Sequence, residues 1–100
     1  MTTAAATYAL PYEHVANSVT TQILGTTGAI GDYLHRIVVT VNTAATGTVV
    51  LTDGSFAHTI VRANTPIGVY SIEMNAISQT TGWKVTTGAG AEVIAMGNFT

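Results

Sequence analysis

The stretch that most constrains the fold covers residues 32–61, where three apolar, β-branched runs are separated by turn residues. This pattern is typical of consecutive antiparallel strands and not of a helix. The last two runs meet at Asp53-Gly54, a dipeptide whose backbone can adopt the positive φ angles of a type I′ turn. The sequence therefore predicts a β-hairpin centred on these two residues.

A turn centred on Asp53 and Gly54 also predicts which residues pair across the hairpin, and paired residues share a face. The pairs expected on the apolar face are Leu51 with Phe56 and Val49 with His58. The pairs expected on the opposite face are Val50 with Ala57 and Thr48 with Thr59. Because this opposite face is poor in charge, we expect another molecule to cover part of it.

Composition excludes several classes of function. Charged residues make up only 8% of the chain, against about 25% in ordinary soluble domains. The cations are Arg36, Arg62 and Lys84, and the net charge is −2, so nucleic-acid binding is disfavoured. The chain has no cysteine, so we expect packing and backbone pairing alone to hold the fold.

Neither a membrane span nor a secretory signal is expected. The longest apolar run is only a few residues, whereas a span needs about 20. The first fourteen residues lack the basic region and the long apolar region of a signal peptide. We therefore expect mature sequence and no membrane partner.

Residues 1–17 are predicted to form an N-terminal arm ahead of a single β domain over residues 18–100. This segment shows neither helical nor alternating periodicity. It is interpreted either as an edge strand or coil packed on its own domain, or as an arm lying along a neighbouring subunit. Pro11 excludes a central strand because it cannot donate to a ladder.

The remaining strands are predicted from alternation and turn residues, over residues 18–24, 33–42, 69–77, 83–87 and 92–99. The side chains expected to face inward are Val19, Thr21 and Ile23; Ile37, Val39 and Val41; Tyr70, Ile72, Met74 and Ala76; Trp83 and Val85; and Val93, Ala95 and Phe99. About seven or eight short strands at this spacing predict an all-β fold, a small antiparallel sandwich or jelly roll.

The glycines Gly25, Gly28 and Gly31 superficially suggest a phosphate loop. A phosphate loop needs a following helix and usually a lysine, but the next segment is strand-like. We therefore expect these glycines to be turn residues.

Metal or catalytic chemistry has little support in the chain. His35 and His58 could approach each other across adjacent strands as a metal or pH-sensing pair, although histidines bonded near strand ends or facing an interface are the better interpretation. The five carboxylates are scattered and form no calcium-type cluster in the sequence. No nucleophile and base can be proposed together, so no enzyme, cofactor or metal is expected.

Solubility argues for assembly. A lone β domain with few charges, apolar outer faces and unguarded edges would tend to associate. The candidate interface residues are Tyr8, Leu10, Pro11, Tyr12, Thr48, Val50, Ala57, Thr59, Arg62, Pro66 and Ile67.

A family resemblance adds a function. The segment GAIGDYLHRIVVTVNTAATGTVVLTDG and the tail GWKVTTGAGAEVIAMGNFT resemble small virion proteins of tailed bacteriophages that decorate or cement the head. The resemblance implies β-sandwich or jelly-roll subunits, often dimers or trimers, that sit over seams between capsid proteins and hold the shell against internal DNA pressure.

The leading hypothesis is therefore a non-enzymatic structural protein of the capsid exterior, made in the bacterial host cytoplasm. Its expected partners are the major capsid protein and itself, with no nucleic acid, membrane or small-molecule substrate. One alternative is a phage tail or fibre component. Another is a carbohydrate-binding module, for which Trp83, Tyr70 and a loop carboxylate would form the binding platform.

Overall fold

The computed structural model describes residues 11–100, which form eight strands and no helix. The strands are β1 (Tyr12–Val15), β2 (Gln22–Ile23), β3 (Tyr33–Val41), β4 (Val49–Asp53), β5 (Phe56–Val61), β6 (Gly68–Ile77), β7 (Trp83–Thr86) and β8 (Ala91–Asn98). Over this part of the chain, nothing helical is available that could cross a membrane.

The strands form two four-stranded sheets in which every pairing is antiparallel. Sheet 1 has the order β1-β8-β3-β6, and sheet 2 has the order β2-β7-β4-β5. The predicted all-β class is confirmed, and the two sheets are consistent with a small β-sandwich.

Alternating side chains from both sheets build one apolar core. Sheet 1 supplies Leu34, Ile37 and Val39, and sheet 2 supplies Leu51 and Val85, all essentially inaccessible to solvent. The expected inward positions that the structure buries are Val41, Trp83, Val93 and Ala95, in addition to Ile37, Val39 and Val85. The period-two pattern of the central strands therefore predicted their buried faces.

The predicted hairpin exists, but its register is wrong by two residues. Asp53 pairs with Phe56 and Leu51 with His58, so the central turn residues are Gly54 and Ser55. Gly54 has a φ of 67°, as a type II′ turn requires of its first central residue. Because side chains alternate between the two faces of a strand, a shift of two residues leaves each side chain on its predicted face but gives it a different partner.

A β-bulge at His35 interrupts the alternation of β3. Both neighbours of β3 shift register between Leu34 and Arg36, and Leu34 instead of His35 joins the buried row with Ile37. On β6, the facing Asn75 adopts a φ of 49°, which asparagine tolerates better than most residues. Such bulges redirect side chains, and this one turns His35 away from the core.

The strand expected over residues 18–24 shrinks to Gln22–Ile23. Thr86 Oγ1 donates to the Thr20 carbonyl oxygen at 2.5 Å, and Thr87 Oγ1 donates to the Ala16 carbonyl oxygen at 2.6 Å. These side-chain bonds occupy backbone groups that a regular ladder would use. Thr21 and Ile23 are exposed whereas Leu24 is fully buried, so the expected inward positions of Thr21 and Ile23 were wrong.

The N-terminal end of the described chain is an edge strand. Tyr12–Val15 pairs with β8 and Val15 is fully buried, which fits the edge-strand interpretation over these residues. Tyr8 and Leu10 lie outside the described residues.

Candidate interaction surface

One side of the molecule, where β5 and β6 are the neighbouring edge strands of the two sheets, is open. The two strands do not pair with each other, and two depressions lie between them. We call this region the β5–β6 seam: strand β5, the inner face of β6 and the residues that line the two depressions.

The β6 wall of the seam is apolar and only half covered. Its inner residues Tyr70, Ile72, Met74 and Ala76 alternate with exposed residues, as predicted, but each is only half-buried. A strand that faced a complete opposite sheet would bury this row, as β3 and β8 do. Sheet 2 therefore does not fully cover β6.

The β5 wall is more open still, because residues 56–59 are exposed on both faces. Phe56 and His58 share the inner face with Leu51 and Asp53, yet the Phe56 side chain is 62% exposed. The Phe56 and His58 rings stack with centroids 6.2 Å apart and planes 6° from parallel. The residues that should close this side of the core thus stand in solvent within the single chain.

The depressions occupy opposite ends of the seam. The first, of about 500 Å³, lies between Ile60 and Ile72. The second, of about 340 Å³, lies beside Phe56 and Trp83. Exposed apolar side chains flank them, namely Ile67, Val69 and Ile77. Several exposed apolar side chains grouped around two depressions are typical of an interaction surface.

The loop at one end of the seam is held by its own hydrogen bonds. Tyr70 Oη donates to the Pro66 carbonyl oxygen at 2.7 Å, and Thr65 Oγ1 donates to the Arg62 carbonyl oxygen at 2.6 Å. The Asn64 amide donates to the Thr46 carbonyl oxygen at 2.7 Å. These bonds fix the position from which Arg62 and Pro66 are presented.

Asp53 organises the other end of the seam. Its carboxylate accepts from Ser78 Oγ at 2.7 Å, from the Gln79 amide at 2.8 Å and from the Thr81 amide at 3.1 Å. Burial by itself raises the pKa of Asp53, but these hydrogen bonds outweigh it and hold the pKa below its ordinary value. Asp53 was predicted as a turn residue, and it instead fastens the loop over residues 78–82.

Asp32 makes a similar fastening at the glycine-rich corner. Its carboxylate accepts from Thr100 Oγ1 at 2.6 Å, from the Thr100 amide at 3.0 Å and from the Ala29 amide at 3.1 Å. Burial raises the pKa of Asp32, and the bonds from Thr100 and Ala29 more than reverse that effect. The predicted turn glycines of this corner, Gly25, Gly28 and Gly31, all have positive φ.

Acid should therefore destabilise this protein. Because the folded-state pKa of Asp32 and of Asp53 is lowered, their stabilisation is complete above the unfolded pKa of about 3.9 and is lost as pH falls through the folded value. We expect the urea midpoint to be flat from about pH 7 to about pH 5 and to fall steeply below about pH 4. An equal midpoint at pH 7 and at about pH 2.5 would contradict this assignment.

The structure does not bring His35 and His58 together. His35 lies on β3 of sheet 1, with its Nδ1 3.1 Å from both Tyr33 Oη and Asn75 Oδ1. His58 lies on β5 of sheet 2, stacked on Phe56. The weaker alternative, a pair of His35 and His58, is therefore wrong, and residues 11–100 hold no cluster of three His, Cys, Asp or Glu that could bind a metal.

The predicted interface residues fall into separate places. Pro11 and Tyr12 are exposed beside β8, at the edge of sheet 1 farthest from β6. On the outer hairpin face, Val50 is half-buried and Thr48, Ala57 and Thr59 are exposed. The loop residues Arg62, Pro66 and Ile67 are exposed at one end of the seam.

Sequence reasoning placed Phe56 and the β6 row on inward faces but missed that both are left partly open. The signal was present in Phe56, a large apolar residue directly after the turn. The inward-facing row of β6 was predicted as core, since a sequence does not show that the opposite sheet ends early.

Trp83 cannot form a sugar-binding platform. Its side chain is 6% exposed, and its indole Nε1 donates to the Asp32 carbonyl oxygen at 3.0 Å. The alternative of a platform formed by Trp83 and Tyr70 is therefore wrong, because a stacking ring must be open to the ligand.

No protein-family model, curated protein or solved structure matches this chain.

Proposed function

We propose that this chain is a non-enzymatic structural virion protein that decorates or cements a bacteriophage capsid by binding the major capsid protein as an oligomer. In this proposal the subunit is a jelly-roll-like sandwich with an N-terminal arm over residues 1–17, whose strand β1 is paired into sheet 1. It acts on the capsid exterior after synthesis in the host cytoplasm. The observation that carries the proposal is the β5–β6 seam, an apolar side left open on which Arg62 is the one exposed charge, in a chain with only 8% charged residues.

Apolar contact is the expected source of capsid affinity. The exposed loop at the end of the seam offers Ile67, 64% exposed, beside Pro66 and the single cation Arg62. Exposed Tyr12 offers a second contact at the opposite edge. With so few charges, affinity comes from covered apolar area multiplied over many copies.

Co-sedimentation with expanded capsids of the same phage tests the function. We expect binding to persist from about 0.1 M to about 1 M salt, over which the Debye length falls from about 10 Å to about 3 Å. The variant Ile67→Asp should weaken binding, whereas the control Thr26→Asp, on an exposed turn, should not. Binding lost at moderate salt, or sedimentation with tails instead of heads, would contradict the proposal.

A further inference from the structure

Strand β5 is an unguarded sheet edge. Edge strands are commonly protected by charged residues, proline or bulges, but Phe56–Val61 contains no charged residue and no proline. The irregularity in the pairing of β5 with β4 lies opposite Val49 and Val50, at the end of β5 away from the turn. Residues 56–59 therefore form a regular strand edge without a bulge. Strand β6, by contrast, carries Glu73 and its own bulge.

The main chain of β5 has hydrogen-bonding groups directed outward. Asp53 and Phe56 flank a two-residue turn and exchange bonds, and hydrogen-bonded pairs alternate along an antiparallel ladder. His58 therefore also bonds to β4, while the amides and carbonyls of Ala57 and Thr59 point toward the open edge. An added antiparallel strand would find two residues ready to pair.

Space for such a strand exists on both faces of β5. The side chains of residues 56–59 are exposed on both faces of the strand, and the depressions separate β5 from β6. A strand joined to β5 would therefore extend sheet 2 without colliding with sheet 1. Its inward side chains would cover Phe56 and the half-buried row of β6.

The charge and size of the seam suit a second copy of this chain. Arg62 is the one cation lining the depressions, and the one anion, Asp53, is buried and hydrogen-bonded, so the surface meets little like charge when it faces itself. Eighteen residues belong to β5 or line the depressions, and fifteen of them are accessible, since Asp53, Val61 and Trp83 are buried. This is smaller than the roughly 20–30 residues a side of a standard interface and fits a dimer that dissociates on dilution.

We therefore infer that two copies of this chain bind each other through the β5–β6 seam, with their β5 strands paired antiparallel about a two-fold axis. A two-fold interface uses the same patch on both subunits, as a nearly neutral seam permits. The inference specifies the self-association surface of the proposed oligomer, and it rests on the proposed function only for the expectation that the protein works as an oligomer.

Sedimentation velocity over a concentration series tests the pairing. The full chain should sediment at twice its mass of 10.3 kDa. Thr59→Lys adds a charge on the exposed face of β5, and we expect it to raise the dimer dissociation constant at least about 100-fold. Thr20→Lys is the matched control, because Thr20 is also an exposed threonine but adjoins β2 at the opposite edge of sheet 2, and it should leave the dimer intact.

Phe56→Ala provides a second variant in case Thr59→Lys does not fold, since it removes apolar area from the inner wall. It too should weaken the dimer about 100-fold, with an unchanged far-UV spectrum. A wild-type protein that is monomeric overturns the inference; this would result if residues 1–10, or only the capsid protein, filled the seam. An oligomer whose dissociation constant neither variant changes overturns it as well. A dimer that fails to bind capsids leaves this inference standing and refutes the proposed function. A monomer that binds capsids overturns this inference and leaves only the capsid-binding part of the proposed function.

Discussion

Replacing Gly97 with alanine should destabilise the protein by about 3 kcal/mol or more, a large part of the total for a domain of this size. Gly97 lies in β8 beside β3. A Cβ there would stand 2.1 Å from the Tyr33 carbonyl oxygen and 3.1 Å from the Leu34 Cα. Both are backbone atoms of a central strand at its bulge, so neither can move without disturbing both of its pairings. Urea unfolding followed by circular dichroism measures the loss.

The matched control is Gly68→Ala. Gly68 is also a strand glycine, but a Cβ there would meet nothing closer than the Tyr70 hydroxyl at 3.5 Å. We expect a change within about 1 kcal/mol in either direction. Equal urea midpoints for the two variants would show that the close approach of β8 to β3 is not a constraint.

Replacing Asp53 with alanine should cost about 3 kcal/mol or more and lower Tm by more than about 10 °C. The substitution removes a carboxylate that fastens the loop over residues 78–82, and it leaves Ser78 Oγ and the amides of Gln79 and Thr81 without this acceptor. Because these donors are held near the core, their lost bonds are only partly replaced by water. Thermal unfolding at pH 7 measures the effect.

Glu73→Ala is the control for Asp53→Ala. Glu73 is an exposed carboxylate on β6 that accepts from Asn75 Nδ2 at 3.0 Å, so its loss should change stability by less than about 0.5 kcal/mol. If Asp53→Ala lowered the stability no more than Glu73→Ala does, the Asp53 carboxylate would not hold the loop over residues 78–82 in place. Because Asp53 contributes to the acid sensitivity, the Asp53→Ala variant should lose less stability than the wild type as the pH falls below about 4.

The strands and inward faces that depend on local alternation could be predicted from the sequence. Trp83 and Val85 on β7, and the alternating row of β6, lie where the period-two pattern put them. These positions follow from the pleat of each strand alone and need no knowledge of its neighbours.

Features set by distant partners could not be predicted in this way. The bulge at His35 depends on how β3 fits two neighbours at once, and the role of Asp53 depends on donors at least 25 residues away. The hairpin register was missed for a local reason, because Asp53-Gly54 and Gly54-Ser55 are both turn dipeptides and the sequence favoured the first.

The candidate surface was predicted only in part. The outer hairpin face, which we expect another molecule to cover in part, is exposed at Thr48, Ala57 and Thr59 in the single chain. The larger apolar exposure lies on the inner side, at Phe56 and along β6. Which strands end as neighbouring edges depends on the order of strands in the sheets, and alternation carries no information about that order.

Amide hydrogen exchange at Ala57 and Thr59, followed by NMR, tests most directly whether the β5 edges of two copies pair. At concentrations where the protein is dimeric, we expect both amides to exchange at least about 100-fold more slowly than in the Phe56→Ala variant, and to lose this protection on dilution. If both amides exchange at the same rate in the wild-type dimer and in the Phe56→Ala variant, the β5 edge is not the contact between copies and the inferred interface is wrong.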